Sequence, residues 1–317
     1  MIAVIGEALI DLVVSASGGD VAARPGGGPY NTARTIARLG APAVFAGRLS
    51  ADGFGRRLRS GLEADGVTLG MAEPSGLPTT LAVADVDETG GARYGFYLAG
   101  TAAADVDDET LRAAADGARI VHVGTLGLVM EPIASSVERL VAAALPPDVL
   151  VMADPNCRPG AIPDRDGYLR RMSRIFGRAD VVKASVEDLA YLSPGLSPEQ
   201  AAAAVLAEGP ALVLVTDGPR PARAFAPDEA EISVPAPAVD VVDTIGAGDA
   251  FGGAFLANWL AAGLGRDELR AGTPGRTAAI REALAFAAEV AALTCARPGA
   301  DPPYRADVLR PTAGLRL

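Results

Sequence analysis

The stretch Val241 to Phe255, VVDTIGAGDAFGGAF, gathers glycines into one short turn, with an acid before it (Asp243) and an acid inside it (Asp249). Phe251, Phe255 and Trp259 then recur at i, i+4 and i+8, the spacing of a helix with a buried stripe. Gly246, Ala247 and Gly248 are therefore expected at a helix N-terminus, where unpaired backbone N–H groups and the positive end of the dipole favour negative charge. Small side chains there let an anion approach the backbone closely. An aspartate in the first turn would be held ionised by the same dipole. A cradle for an anion with a carboxylate at its rim suits phosphoryl transfer to an alcohol, which needs a place for developing charge and a base for the hydroxyl proton. The plain alternative is an ordinary turn followed by a helix-start acid.

Two known anion loops do not fit. A Walker-type loop needs GxxxxGK[ST], and the only lysine, Lys183, lies in no such context. The dinucleotide fingerprint GxGxxG needs a glycine where Phe251 stands, and it follows the first strand of its unit, whereas this turn comes late. Nearly all the cationic charge is arginine, so lysine-dependent chemistry is set aside. Cys157 and Cys295 lie far apart with no CxxC, which suggests neither structural zinc nor a disulfide framework; both read as small packing residues. The single histidine, His122, lies inside the apolar run RIVHVG and reads as a hydrogen-bonded core residue. A net charge of -11 argues against partners such as nucleic acid or an anionic membrane surface. No apolar run reaches membrane-spanning length, and Met1 leads straight into IAVIG without a leader-like segment. The expected location is the cytoplasm.

The elements that must position these residues alternate in kind. Strand-like runs fall at 2–5, 43–47, 119–124, 149–154, 180–184 and 211–217, several of them apolar throughout, as in a parallel sheet covered on both faces. Between them lie helical patterns. PYNTARTIARLG has Pro29 near its first turn and Gly40 as its stop. SPEQAAAAVLAEG opens with Ser197, Pro198 and a capping box closed by Gln200. The order argues for a doubly wound α/β core. Residues 79–100 break the rhythm and read as a hairpin turning around Glu88 to Gly91, which LIDLVVS (9–15) could join. One domain spanning 1–317, with a small β lid from about 9–22 and 78–100, is expected. Ligands of open parallel sheets bind outside the carboxyl ends of the strands. Asp11, Asp154 to Arg158, Ser185 to Asp188 and Thr216 to Gly218 fall there.

The residues Asp243 to Asp249, DTIGAGD, resemble the signature of the ribokinase-like (PfkB) carbohydrate kinases. The resemblance covers nearly the whole chain, through GEALID (6–11), GGGPYNTA (26–33), DPNCRPG (154–160) and TCARPGADPP (294–303). It implies a ribokinase-like, mostly parallel sheet with helices on both faces. It also implies transfer of the ATP γ-phosphoryl group to a sugar hydroxyl with magnesium. By that match Asp249 is the base, and Gly246, Ala247 and Gly248 receive the phosphate's charge. Asp11, Gly27 and Asn31 match the sugar-binding motifs, with Gly26 beside Gly27. Arg158 closes a DxNxR stretch and could meet sugar oxygens, a substrate carboxylate or the phosphate.

The family's NxxE becomes Ser185-Val186-Glu187-Asp188. Asp188 would hold magnesium through water, and Ser185 is either a nucleotide contact or simply a helix cap. The family's TxGxxG becomes Thr216-Asp217-Gly218-Pro219-Arg220-Pro221, leaving Thr216 and Gly218 for ATP phosphates and Asp217 without a clear place. Potassium near the turn would use carbonyls of Asp243 and Ile245, although Asp243 could equally cap the turn. A homodimer through the lid is the assembly the resemblance suggests. Fructokinase is the first choice of activity. The runner-up is 2-keto-3-deoxygluconate kinase, followed by a nucleoside kinase or a sugar-binding regulator without catalysis. Specificity is expected from lid side chains such as Phe96 and Tyr97.

Overall fold

The computed structural model describes residues 1–15, 21–86, 92–227, 229–272 and 275–309. Among the described residues thirteen strands make two sheets: β1 (Ile2–Ile5), β2 (Leu9–Ser15), β3 (Ala22–Gly26), β4 (Ala43–Ala46), β5 (Thr68–Leu69), β6 (Leu81–Val86), β7 (Ala92–Tyr97), β8 (Ile120–Gly124), β9 (Leu150–Asp154), β10 (Val181–Ser185), β11 (Leu212–Thr216), β12 (Ala222–Phe225) and β13 (Ile232–Val234). The large sheet runs β13-β12-β11-β10-β9-β8-β1-β4-β5. It is parallel except for β12 and β13, which join antiparallel at one edge. Each expected core strand is present, within a residue or two of the expected bounds.

Burial on both faces explains the unbroken apolar runs. Ile2 and Val4 enter one core cluster, while Ala3 and Ile5 enter the other. The helices Gly28–Arg38, Ala247–Ala261 and Arg276–Cys295 cover the first face. The Ala247–Ala261 helix is buried more fully than a single stripe requires: Phe251, Phe255 and Trp259 lie in the core, and the rings of Phe255 and Trp259 stack at 5.9 Å. Each such side chain contributes roughly 1.5–3 kcal/mol by leaving water, which fixes the helix start against the sheet. Pro29 and the Ser197–Gln200 capping box stand where expected.

The smaller sheet runs β3-β2-β6-β7. LIDLVVS does join the 79–100 hairpin, as β2 lying parallel to β6 from Ile10↔Leu81 to Ser15↔Val86. The expected turn at Glu88 to Gly91, and lid residues 16–20, lie outside the described residues. Alternation along β7 puts Phe96 and Tyr97 on opposite faces. Phe96 approaches Gly160 beside the DPNCR segment, whereas Tyr97 is exposed. Tyr97 therefore faces solvent.

The order in which strands are added reverses at β1, which lies parallel to both its neighbours, β4 on one side and β8 on the other. The carboxyl end of β1, at Gly6 and Glu7, is thus the topological switch point where a ligand crevice is expected.

Candidate active site

The crevice opens at the carboxyl ends of β1, β8, β9, β10 and β11. Gly246 is the N-cap of the Ala247–Ala261 helix, in the left-handed region at φ 77°, and an added Cβ would lie 2.6 Å from the Ala300 Cβ. Only glycine fits there without strain. Ala247, Gly248 and Asp249 follow as the first turn, their N–H groups at the positive end of the dipole.

Asp249 is buried, and its Oδ2 accepts from the Asn31 amide at 2.9 Å. Asn31 sits in the first turn of the Gly28–Arg38 helix, so two helix N-termini converge on one carboxylate. The Asn31 Oδ1 is buried and has no hydrogen-bond partner among the described residues. An orphaned acceptor beside a candidate base fits a polyol hydroxyl, since a buried acceptor left unpaired is costly. Gly27, at φ 105°, lets the loop pass the Glu7 carbonyl, which an added Cβ would approach to 2.8 Å. Gly26 packs against the Asp11 carboxylate, whose Oδ2 lies 2.1 Å from the Cβ position.

Burial, with a further contribution from Asp249, raises the Asp11 carboxyl to about 6, and Arg158 pulls the other way. Arg158 is exposed; its guanidinium donates to the Asn156 and Cys157 carbonyls and forms no salt bridge among the described residues. Asp11, Gly27, Asn31, Arg158 and Asp249 are thus gathered around one crevice. If the ionised Asp11 accepts sugar hydroxyls, protonation will weaken sugar binding. The sugar KM of the wild type is expected to rise as pH falls through about 6, and that rise should vanish in Asp11→Asn. A sugar KM independent of pH from 5 to 8 in the wild type would remove Asp11 from this role.

A groove of about 890 Å³ continues from the turn, lined by Ser185, Glu187, Thr216, Gly218, Ala247 and Gly248 at its polar end. Its far end is apolar, with Val239, Val241, Ala288 and Ala292. An apolar slot leading into a phosphate cradle fits a nucleotide. Asp217, which had no clear place in the sequence, pairs with Arg220 at 2.9 Å.

The serine of the altered NxxE motif proves to be a cap. Ser185 accepts from the Asp188 N–H, and Asp188 Oδ2 accepts from both the Ser185 N–H and its hydroxyl. The other Asp188 oxygen accepts from the Cys157 N–H at 2.6 Å. Asp188, expected to hold magnesium through water, is buried, and its carboxylate accepts from three protein donors. Glu187 is the exposed carboxylate that lines the groove. Asp243 does cap its turn, accepting from Ile245 N–H through Oδ1 and from Gly299 N–H through Oδ2. No backbone N–H of the described residues donates to the carbonyl of Asp243 or Ile245.

Three residues escaped the sequence reading. Glu7 is fully buried and accepts from the Gly28 and Gly127 N–H groups. Thr125, at an unusual φ of 54°, lies against Gly28 and accepts from Asn156; positive φ on a non-glycine residue is the strain that collects at functional sites. Lys183, set aside in the sequence, is buried in this crevice and donates to Asp154 at 2.9 Å. Its being the single lysine was the available signal. His122 is buried as expected, yet neither ring nitrogen has a hydrogen-bond partner among the described residues. Burial and the nearby Lys183 charge lower it to about 3, so it is neutral. Cys157 packs against Tyr168, and burial pushes its thiol up to about 12.

The sequence model described as pfkB family carbohydrate kinase matches residues 1–307. The chain belongs to that family. This carbohydrate kinase is 33% identical over 261 residues to a fructokinase of Rhizobium leguminosarum bv. trifolii, covering 81% of this chain and 79% of the relative. Fructokinase of Xylella fastidiosa, solved with bound ATP, superposes with a TM-score of 0.85 at 30% identity, covering 97% of this chain and 96% of that one. Fructokinase from Vibrio cholerae O395, in a form binding fructose, ADP and calcium, gives a TM-score of 0.78 at 28% identity, with 94% of each chain covered. Membership makes the protein a sugar kinase with ATP as phosphoryl donor. Among the described residues no helix is long and apolar enough to cross a membrane.

Proposed function

We propose that this kinase is a fructokinase in which Asp249 is the general base. The observation that carries the mechanism is the Asp249 carboxylate in the first turn of the Ala247–Ala261 helix, held by Asn31 at 2.9 Å beside an unpaired acceptor. Asp11, Asn31 and the Gly27 backbone hold the sugar. Asp249 takes the proton from the attacking hydroxyl, whose oxygen forms a bond to the γ-phosphorus. The bond from that phosphorus to the ADP oxygen breaks, and the N–H groups from Gly246 to Gly248 receive the charge carried across. Holding the hydroxyl against the base and the phosphate in one crevice makes the step effectively unimolecular.

Ser185, Thr216 and Gly218 face the nucleotide. Magnesium, when bound to the triphosphate, supplies charge neutralisation, and Glu187 is the groove carboxylate placed to meet its water shell. Potassium would sit at the Asp243 and Ile245 carbonyls, where a cation would rigidify the turn.

Fructose is favoured over other sugars by the DPNCRPG, VKASVEDLAYL and LTCARPGADPP stretches and by fructokinases among the relatives. The test is a panel of ketoses, aldoses, ketodeoxy acids and nucleosides in a coupled ATP-consumption assay. Fructose is expected to give the highest kcat/KM. Turnover of the keto acid alone would replace this reading and make Arg158 a carboxylate ligand.

A further inference from the structure

Lys183 is the one lysine among 28 lysine and arginine side chains, and it lines the groove where the turn begins. It lies in the middle of β10, with a side chain in the same groove lining as Gly248, Ser185 and Thr216. Its Nζ lies only 2.9 Å from the position a Cβ on Gly248 would take. The ammonium thus rests against the last residue of the anion-binding turn, one residue from Asp249.

Its surroundings are negative. Asp154 accepts from the ammonium, and Asp188 and Asp249 act on it through space. Although burial alone would lower the lysine, these three carboxylates outweigh it and hold the pKa above the ordinary value, so the ammonium stays charged. A triphosphate entering beside three carboxylates would be repelled without it. A buried ion pair adds little stability in itself, because desolvation offsets attraction. This pair is also incomplete: the Asp154 Oδ1 has no partner among the described residues, and the neighbouring His122 is neutral. A compact ammonium with three donors can serve Asp154 and still turn a proton toward the crevice, which suits this narrow place better than a planar guanidinium.

We propose that Lys183 is a catalytic residue of this kinase, its ammonium meeting the phosphoryl group in transit and Asp154 positioning it. The inference rests on the phosphate-cradle reading of the GAGD turn. Lys183 keeps its protons throughout; the hydroxyl proton still goes to Asp249, and ADP remains the leaving group. The same placement explains the glycine at 248, since a methyl group there would push the ammonium out of position.

The test uses purified full-length chain with fructose, ADP and ATP. The double variant Lys183→Met/Asp154→Asn removes both charges, so neither is left buried alone. It is expected to bind fructose and ADP like the wild type by calorimetry while kcat falls about 10²–10³-fold, the size seen when one donor to transition-state charge is removed. Asp154→Asn alone keeps the ammonium and is expected to lose much less. A double variant with kcat near wild type, or one whose fructose and ADP affinities fall in parallel with kcat, would overturn the assignment. Should circular dichroism show the double variant unfolded, Gly248→Ala decides: a fall in kcat with ADP binding retained supports the proposal, and unchanged kcat rejects it. Asp249→Asn is assayed alongside. If that variant stays active, the reading of the turn fails; if it is inactive while the lysine variants turn over normally, only the lysine proposal fails.

Discussion

Asp249→Asn is expected to lower kcat by about 10²–10⁴-fold, the range for removal of a general base, with fructose binding and stability retained. The choice of asparagine follows from the site. Asp249 Oδ2 accepts from Asn31, and an asparagine at 249 can offer its amide oxygen to that donor. What is lost is the capacity to take a proton. Alanine would be a poorer probe, because it strands the Asn31 Nδ2 beside an Oδ1 that already lacks a partner, and buried unpaired polar groups destabilise in their own right. Single-turnover phosphoryl transfer and calorimetry with fructose check both halves. A variant turning over near the wild-type rate would move the base elsewhere. Parallel loss of sugar affinity would make Asp249 a binding residue.

What the sequence made legible was local. The turn at 246–248 follows from glycine and helix-start chemistry within a few residues, and the apolar stretches betray strands buried on both faces. The capping box at Ser185 is equally local: Ser-x-x-Asp before an apolar run is a cap signature, and the structure fills it on both sides. The metal and nucleotide roles come from the resemblance alone, since the local cap chemistry does not itself carry them. Residues whose meaning depends on distant partners were not legible. Lys183 meets Asp154 across 29 positions, and Glu7 meets Gly127 across 120. Nothing in GEALID distinguishes a buried acceptor from a surface acid until the sheet order brings the ends of β1 and β8 together. Asp217 is the converse case, an acid that looked awkward near phosphates until Arg220 proved to pair with it.

Glu7→Gln is expected to destabilise the fold by about 1–3 kcal/mol, the cost of one buried donor left without an acceptor. Glu7 Oε1 takes the Gly28 N–H at 3.1 Å and Oε2 takes the Gly127 N–H at 2.9 Å. It thereby ties the sugar-binding loop to the segment after β8. A carboxyl group can accept at both oxygens even when protonated, whereas glutamine turns an NH2 toward one of those N–H groups. The proton matters, because burial, with a smaller push from Asp249, raises Glu7 from 4.5 to about 8. The folded chain therefore holds this proton up to about pH 8, while the unfolded chain releases it near 4.5. Between those values the folded state binds more protons, so the Glu7 contribution is full below about pH 4.5 and is lost as pH rises through about 8. Urea unfolding of the wild type and of Glu7→Gln at pH 5, 6.5 and 8 tests both effects. The stability difference between them should be largest at pH 5 and should shrink toward pH 8. A constant or growing difference would mean that Glu7 is ionised in the fold, and that the site carries one more negative charge beside Asp249 than this account allows.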